Sequence, residues 1–368
     1  MSKATAEPDR PSPADPIPAA FRNQVAATLE AFIDAKATQL APLGADLTPL
    51  LEAARRSVSG GKRIRPAFAY WGWRAAGGSP ERAAAVTTAA SAIELVHASA
   101  LVHDDVMDGS DTRRGQPSAH RAFTASQGTS ADPLVAQQFG RNGAILLGDL
   151  LLSWSDELLS EADLKPKVLR RGRSYFDRLR TEVVAGQFLD VLAQTSNRSS
   201  AAQAMRVVRY KSAKYTVERP LQFGASLAGA DDELLLALSS YGVPLGEAFQ
   251  LRDDVLGVFG ESGVTGKPSG DDIREGKRTL LMARAFDRAD TRQLRVLQEC
   301  FGNPELDGGG LAAAQDVLRD TGALTAVETI ITEMVSAALS ALVQAPIADD
   351  DARKALHVLT VRATKRDL

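Results

Sequence analysis

The stretch Ala89-Ala90-Ser91-Ala92-Ile93-Glu94-Leu95-Val96-His97-Ala98-Ser99-Ala100-Leu101-Val102-His103-Asp104-Asp105-Val106-Met107-Asp108 decides the fold. From Ala89 to Val102 it is small or apolar except at Glu94 and His97, and then it ends in a cluster of aspartates. Apolar surroundings exclude charge, because an unpaired buried carboxylate is costly unless it takes up a proton. Carboxylates at helical spacing in such a setting need a cation. A second cluster, Asp253-Asp254-Val255-Leu256-Gly257, closes a similar run. Two clusters far apart in sequence predict one metal site shared by two facing helices. The alternative is an exposed acidic helix end balanced by Arg113 and Arg114, and the apolar run before Asp104 argues against it.

On a helix Asp104 and Asp108 share a face with His97 and Ala100, whereas Asp105 turns toward a neighbouring face. Gln250, Asp253, Asp254 and Gly257 follow the i, i+3, i+4, i+7 rule of a single face. Carboxylate oxygens suit hard cations such as Mg²⁺, which completes its shell with water and phosphate oxygens. Arg113 and Arg114 beside the first cluster make a metal-plus-cation clamp for a polyphosphate. Gly60-Gly61-Lys62-Arg63-Ile64-Arg65-Pro66 puts Lys62 and Arg65 around a helix start, where free backbone N–H groups favour an anion. Gly266-Lys267-Pro268 and Gly276-Lys277-Arg278-Thr279 add glycine-freed backbone and compact positive charge. Lys211 and Ser212 lie in a helical region, and Lys214 beside them reads as a solvated surface charge. His97 taken alone reads as a core histidine. Gln187 and Asp190, polar residues in an apolar helix, are expected to brace the site.

The rest of the chain is consistent with this. Its 368 residues are 44% hydrophobic and 24% charged, as in an ordinary soluble protein, and a net charge of -3 gives no argument for a nucleic acid partner, so none is expected. Met1–Ala20, rich in proline, is expected to be a disordered tail, with one all-α domain over 21–368. Helical patterns run from Phe21–Leu40 to Ala323–Ala345, and no alternating strand pattern appears, so a large single-domain helical bundle is expected. Gly115–Val135 and Gly260–Arg278 are expected as long functional loops. No transmembrane segment is expected, since the apolar stretch Ala83–Val102 is interrupted by Glu94 and His97. Cys300 is the only cysteine, which suits a reducing, cytoplasmic setting.

In order and spacing these motifs resemble those of the trans-isoprenyl diphosphate synthases, the polyprenyl synthetase family, from about Phe21 to Ala345. The resemblance implies an isoprenoid-synthase bundle around a central apolar cavity, a homodimer, and Mg²⁺-dependent head-to-tail condensation of isopentenyl diphosphate. The allylic partner would be dimethylallyl, geranyl or farnesyl diphosphate. By this resemblance Lys62, Arg65, His97 and Arg114 hold the isopentenyl diphosphate. Asp104, Asp108 and Asp253 bind Mg²⁺, and Asp105, Asp254 and Lys211 join them as catalytic residues. Arg113, Lys211, Ser212, Gln250, Lys267 and Lys277 contact the allylic diphosphate. Val96, Ser99 and Ala100 set product length. In the family a bulky aromatic at the level of Ser99 and Ala100 stops growth at farnesyl. Both are small here, so geranylgeranyl diphosphate is the expected product, with a farnesyl or longer polyprenyl product as the alternative. A terpene cyclase is disfavoured by the Asp-Asp of the second motif. A non-catalytic subunit of a heteromeric enzyme is disfavoured by the intact first motif. Two departures stand out: Gly257 replaces the last aspartate of the second motif, and Ser212 replaces the commoner threonine.

Overall fold

Strong helix formers dominate the chain, and the computed structural model, which describes residues 11–195, 200–260 and 269–365, arranges them as an all-α bundle. Its elements are α1 (Ala19–Leu40), α2 (Thr48–Val58), α3 (Ile64–Ala75), α4 (Ala83–Asp108), α5 (Ala119–Ser126), α6 (Pro133–Glu161) and α7 (Pro166–Gln194). Then α8 (Ala201–Val207) runs through a π-helical stretch, Val208–Glu218, into α9 (Arg219–Ala228), followed by α10 (Asp232–Phe259). Shorter helices follow from Asp271–Arg274 to Gly308–Asp320, and then Ala323–Gln344 and Asp350–Lys365. Helix starts are capped as the sequence dictates. Asp132 accepts from the Leu134 and Val135 amides, and Asp231 from the Leu234 amide. Each such cap stabilises by about 1 kcal/mol.

Two apolar clusters make the core. The larger holds Trp71, Tyr241, Phe68, Phe176 and Phe223, and the smaller holds Leu251, Ile273, Leu281, Leu318 and Val327. Helix α10 belongs to both, through Leu245 on one side and Ala248 and Leu251 on the other. Its acidic end therefore lies where the two clusters meet. Glycines permit the closest crossings. A Cβ on Gly186 of α7 would overlap the backbone at Tyr210 and Lys211, and one on Gly246 of α10 would overlap Ala213. The π-helical stretch is thus gripped from both sides at the level of Lys211. Such bulges, with their i→i+5 bonds, concentrate at functional sites.

Three points differ from what the sequence led us to expect. Residues 11–20 are not a loose tail: the Pro16 carbonyl accepts from Trp71 Nε1 at 3.0 Å, Ile17 is buried, and α1 begins at Ala19. Trp71 needs a partner for its buried indole N–H, and the tail supplies one. The Gly115–Val135 loop contains α5, and before it a two-strand hairpin pairs Thr112–Arg113 with Gln116–Pro117. The C-terminal helix Asp350–Lys365 was not anticipated. It packs on the core, where Leu356 O accepts from the Tyr241 hydroxyl at 2.9 Å. Among the described residues, Pro80–Asp108 and Ala323–Gln344 are long and apolar enough to cross a membrane by length and composition alone. The first is a mostly buried core helix. The second exposes mainly polar positions, among them Thr325, Thr329, Thr332, Glu333 and Ser336.

Candidate active site

The acidic ends of α4 and α10 face one another across a cavity of about 460 Å³. His97, Leu101 and Asp104 line it from α4, and Phe249, Gln250, Asp253, Asp254 and Gly257 from α10. Lys62 and Arg65 enter from the start of α3, Arg113 and Arg114 from the hairpin, and Lys211, Ser212, Tyr215 and Thr216 from the π-helical stretch. Asp271, Asp272 and Lys277 close the remaining side.

One end of this cavity is basic. Arg63 precedes α3 in the left-handed region (φ 55°) and is buried, with its guanidinium on Glu94 Oε2 and Val58 O, each at 2.6 Å. That buried pair fixes the turn, so Lys62 and Arg65 flank it at the cavity. Arg65 stacks on the Tyr215 ring at 4.3 Å and donates to Tyr215 Oη (2.5 Å) and Thr216 Oγ1 (3.1 Å). Its Nε is buried with no hydrogen-bond partner among the described residues. Arg114 also has positive φ (53°), as does Gly115 (73°), which a two-residue hairpin turn of this hand requires. Arg114 Nη1 donates to Ser59 O at 2.7 Å. Burial, and then the charges of Arg65 and Arg114, hold the His97 imidazolium well below its usual pKa. His97 is therefore neutral, 3.1 Å from the Tyr215 hydroxyl through Nδ1. Crowded cations and a neutral histidine make a pocket that an anion would stabilise.

The other end is acidic. Asp104 accepts from Lys211 Nζ (2.9 Å) and Gln187 Nε2 (2.8 Å), and Lys211 also reaches Asp190 at 2.6 Å. Burial pushes the Asp104 pKa up, but the Lys211 charge and these hydrogen bonds bring it below the usual range. Burial pulls Lys211 down, but Asp104 and Asp190 keep it well above the ordinary lysine range. Asp108, one turn on, is raised to about 6 by burial and then by Asp104. Asp254 is raised to about 8 by burial and then by Asp272, although Gln250 donates to it at 2.8 Å. Among the described residues no three metal-ligating side chains are gathered into a ready cage. The donors are nonetheless all hard carboxylate oxygens, and Mg²⁺ needs only one or two beside phosphate oxygens. The residues fit a cation that arrives with a diphosphate.

A family model described as polyprenyl synthetase matches residues 48–317. The chain belongs to the polyprenyl synthetase family. It is a trans-prenyltransferase with that family's all-α fold. It is 33% identical to geranylgeranyl diphosphate synthase of Methanosarcina mazei over 81% of this chain and 84% of the relative. It is equally 33% identical to nonaprenyl diphosphate synthase of Mycobacterium tuberculosis, covering 82% of each. Among solved structures it resembles geranylgeranyl pyrophosphate synthase from Corynebacterium glutamicum, complexed with isoprenyl diphosphate and magnesium. There the TM-score is 0.88 at 39% identity, over 94% of this chain and 98% of that one.

Within this family member the expected residues divide. Lys62, Arg65, His97, Asp104, Arg113, Arg114, Lys211, Ser212, Gln250, Asp253, Asp254 and Lys277 all line one cavity. Asp105 does not line it. It is buried behind the wall and accepts from Arg113 Nε at 2.9 Å, so it acts through that arginine. Asp108 also lies off the lining, with Gln194 Nε2 at 3.4 Å. Val96 and Ser99 are buried, and Ala100 packs against the core; none of the three lines this cavity. Lys267 lies outside the described residues. Lys214 is not a solvated charge: it is largely enclosed and pairs with Glu218 at 2.6 Å. Sequence reasoning missed Tyr215, Thr216, Glu94 and Asp272. The first two lie one helical turn beyond Lys211 and Ser212, and that periodicity was the available signal.

Proposed function

We propose that the enzyme joins isopentenyl diphosphate head-to-tail to an allylic diphosphate, using Mg²⁺, with geranylgeranyl diphosphate as main product. The observation that carries this is a single cavity with a basic end and an acidic end, which is what two diphosphates with different fates require. Arg65, Arg114 and Lys62 hold the isopentenyl diphosphate, and neutral His97 and Tyr215 hydrogen-bond beside it. Asp104, Asp108 and Asp253 hold Mg²⁺ with the allylic diphosphate, and Lys211, Arg113, Ser212, Gln250, Lys267 and Lys277 contact the same group. Bound there, Mg²⁺ supplies Lewis-acid stabilisation of the departing diphosphate. The allylic C–O bond breaks as Lys211 and Lys277 take up developing charge on the leaving group. The isopentenyl double bond attacks the allylic carbon, and the proton then lost passes to the released diphosphate. Holding both substrates in one cavity supplies the proximity contribution.

Small residues at Ser99 and Ala100, and relatives named geranylgeranyl diphosphate synthase, support the product length. The nonaprenyl synthase relative supports a longer product as the second reading. We also infer a homodimer, supported by exposed Leu134, Val135 and Leu146 on α6 and Val184 and Phe188 on α7. A cytoplasmic setting is supported by the free thiol of Cys300. The test is incubation with labelled isopentenyl diphosphate and each allylic primer, followed by chromatography. A twenty-carbon product is expected from the parent, and a fifteen-carbon product from Ala100→Phe. An unchanged profile in Ala100→Phe would mean that the growing tail does not pass that residue.

A further inference from the structure

A second polar cluster lies outside the cavity, enclosed between α7, the π-helical stretch, α9 and α10. Arg219, the first residue of α9, grips Glu182 of α7 with both arms of its fork, Nε to Oε2 at 2.7 Å and Nη2 to Oε1 at 2.6 Å. Its Nη1 donates to Gln222 Oε1 at 2.5 Å, and Gln222 Nε2 donates to Ser239 Oγ of α10 at 2.9 Å. Ser239 in turn donates to Glu218 Oε1 at 2.5 Å, and Lys214 pairs with Glu218 Oε2 at 2.6 Å. Two carboxylates meet two cations, and none of these residues lines the cavity. Around the cluster, packing does little to fix how far the stretch slides along its neighbours. Gly186 of α7 and Gly242 and Gly246 of α10 meet its backbone at Lys211, Glu218 and Ala213. Helices resist sliding through side-chain ridges seated in grooves, and glycines supply none. The backbone bonding is also incomplete at the end of the stretch. Pro220 has no N–H to bond back to the Thr216 carbonyl, and the Arg219 N–H reaches five residues back to Lys214 O.

We propose that this network is a register lock, holding the π-helical stretch at one position along α7 and α10. Buried ion pairs add little net stability, and their best-attested use is to select one register over its neighbours. Here the register decides which side chains enter the cavity. Glu182, Gly186 and Asp190 are spaced by four on α7 and share a face. With Glu182 held by Arg219, Gly186 lies against Lys211, and Asp190 accepts from the Lys211 ammonium at 2.6 Å. A slip of one residue, about 1.5 Å, would bring Tyr210 or Ser212 to Asp190 in place of Lys211. The same slip would draw Tyr215 and Thr216 away from Arg65. Glu182, Arg219, Glu218 and Ser239 are thus positioning residues that act on the reaction through Lys211 and Tyr215. The kinetic consequence rests on the condensation proposed above, whereas the register does not.

The test replaces one ion pair by apolar groups, Glu182→Met/Arg219→Met, so that neither charge is left buried alone. Spin labels at Ser174→Cys on α7 and Arg206→Cys on α8, both exposed positions, report the separation of the two helices by pulsed electron paramagnetic resonance. The background is Cys300→Ser, which removes the only native thiol. The double variant should melt at or above the parent. Its label distances should shift or spread by about 1.5 Å, one residue's rise. Its kcat should fall about 100-fold, the cost of misplacing reacting groups by about 1 Å. Distances identical to the parent's overturn the lock, whatever the rate. Distances that spread while kcat and both KM values stay as in the parent refute the positioning role. If the double variant does not fold, Arg219→Lys decides, since it keeps the charge and loses the fork. A shifted distribution in Arg219→Lys upholds the lock, and a parent-like one sinks it. If the labelled parent condenses no substrates, the proposed function fails, and the distances still judge the lock.

Discussion

Asp104 is held by Lys211 and Gln187, so its carboxylate is already oriented before any cation arrives. Asp104→Ala should lower turnover by orders of magnitude while helical content stays intact, because Lys211 keeps Asp190 as a partner at 2.6 Å. A near-normal rate at saturating Mg²⁺ would remove Asp104 from the metal site. Asp254 gives a pH prediction. Its folded pKa, about 8, lies above its ordinary value. The folded state therefore holds this proton more tightly than the unfolded state, and stability falls as pH rises from about 4 to about 8. Asp254→Asn removes that fall. The melting temperature of the variant relative to the parent, both without divalent cation, should climb across this window and level off above it. A difference flat in pH would show that Asp254 ionises normally. Both carboxylates were visible in the sequence as clustered charges. Which of the two is pushed up was not, because that depends on the burial of Asp254 and on Asp272 beside it, and on Lys211 lying against Asp104.

At the scale of elements, the π-helical stretch Val208–Glu218 and its glycine contacts do most to assemble the site. It brings Lys211 to the acidic end and Tyr215 and Thr216 to the basic end, and it is seated against α7 by Gly186. Gly186→Ala would push a methyl into the backbone at Lys211, and overpacking of this kind destabilises by about 1–3 kcal/mol. The variant should melt lower and show a raised KM for the allylic substrate, with a smaller change for isopentenyl diphosphate. Equal changes for the two substrates would contradict the division of the cavity into two ends. The long helices were legible from periodicity alone, as α4 and α10 show. The π-helical register was not, since a shift from i→i+4 to i→i+5 hydrogen bonding leaves no mark on the mixed polar and apolar residues of Val208–Glu218. Helix α5 and Asp350–Lys365 were hidden for a related reason. They are short or strongly charged, and their burial comes from what they pack against.

For the whole molecule, the apolar side chains left exposed on α6 and α7 are the basis for an expected homodimer. Light scattering at micromolar concentration should give twice the chain mass of 39.1 kDa. A monomer would leave Leu134, Leu146 and Phe188 without the partner this reading gives them. The arrangement that places two anion sites in one cavity depends on α10 being shared between the two core clusters. A change at that junction should therefore affect both sites at once.

The sequence by itself determined the helical class, the two acidic helix ends and the basic segment before α3. Each is a local pattern, set by the period of one helix or the chemistry of one turn. It also marked Gly257 as a departure. Only the tertiary structure decided that Asp105 serves Arg113, that Arg63 is locked to Glu94, and that Asp272 fills the space beside Gly257. Those pairings join residues from separate elements. They are settled by how closely helices cross and where loops return, and helical periodicity carries no record of either.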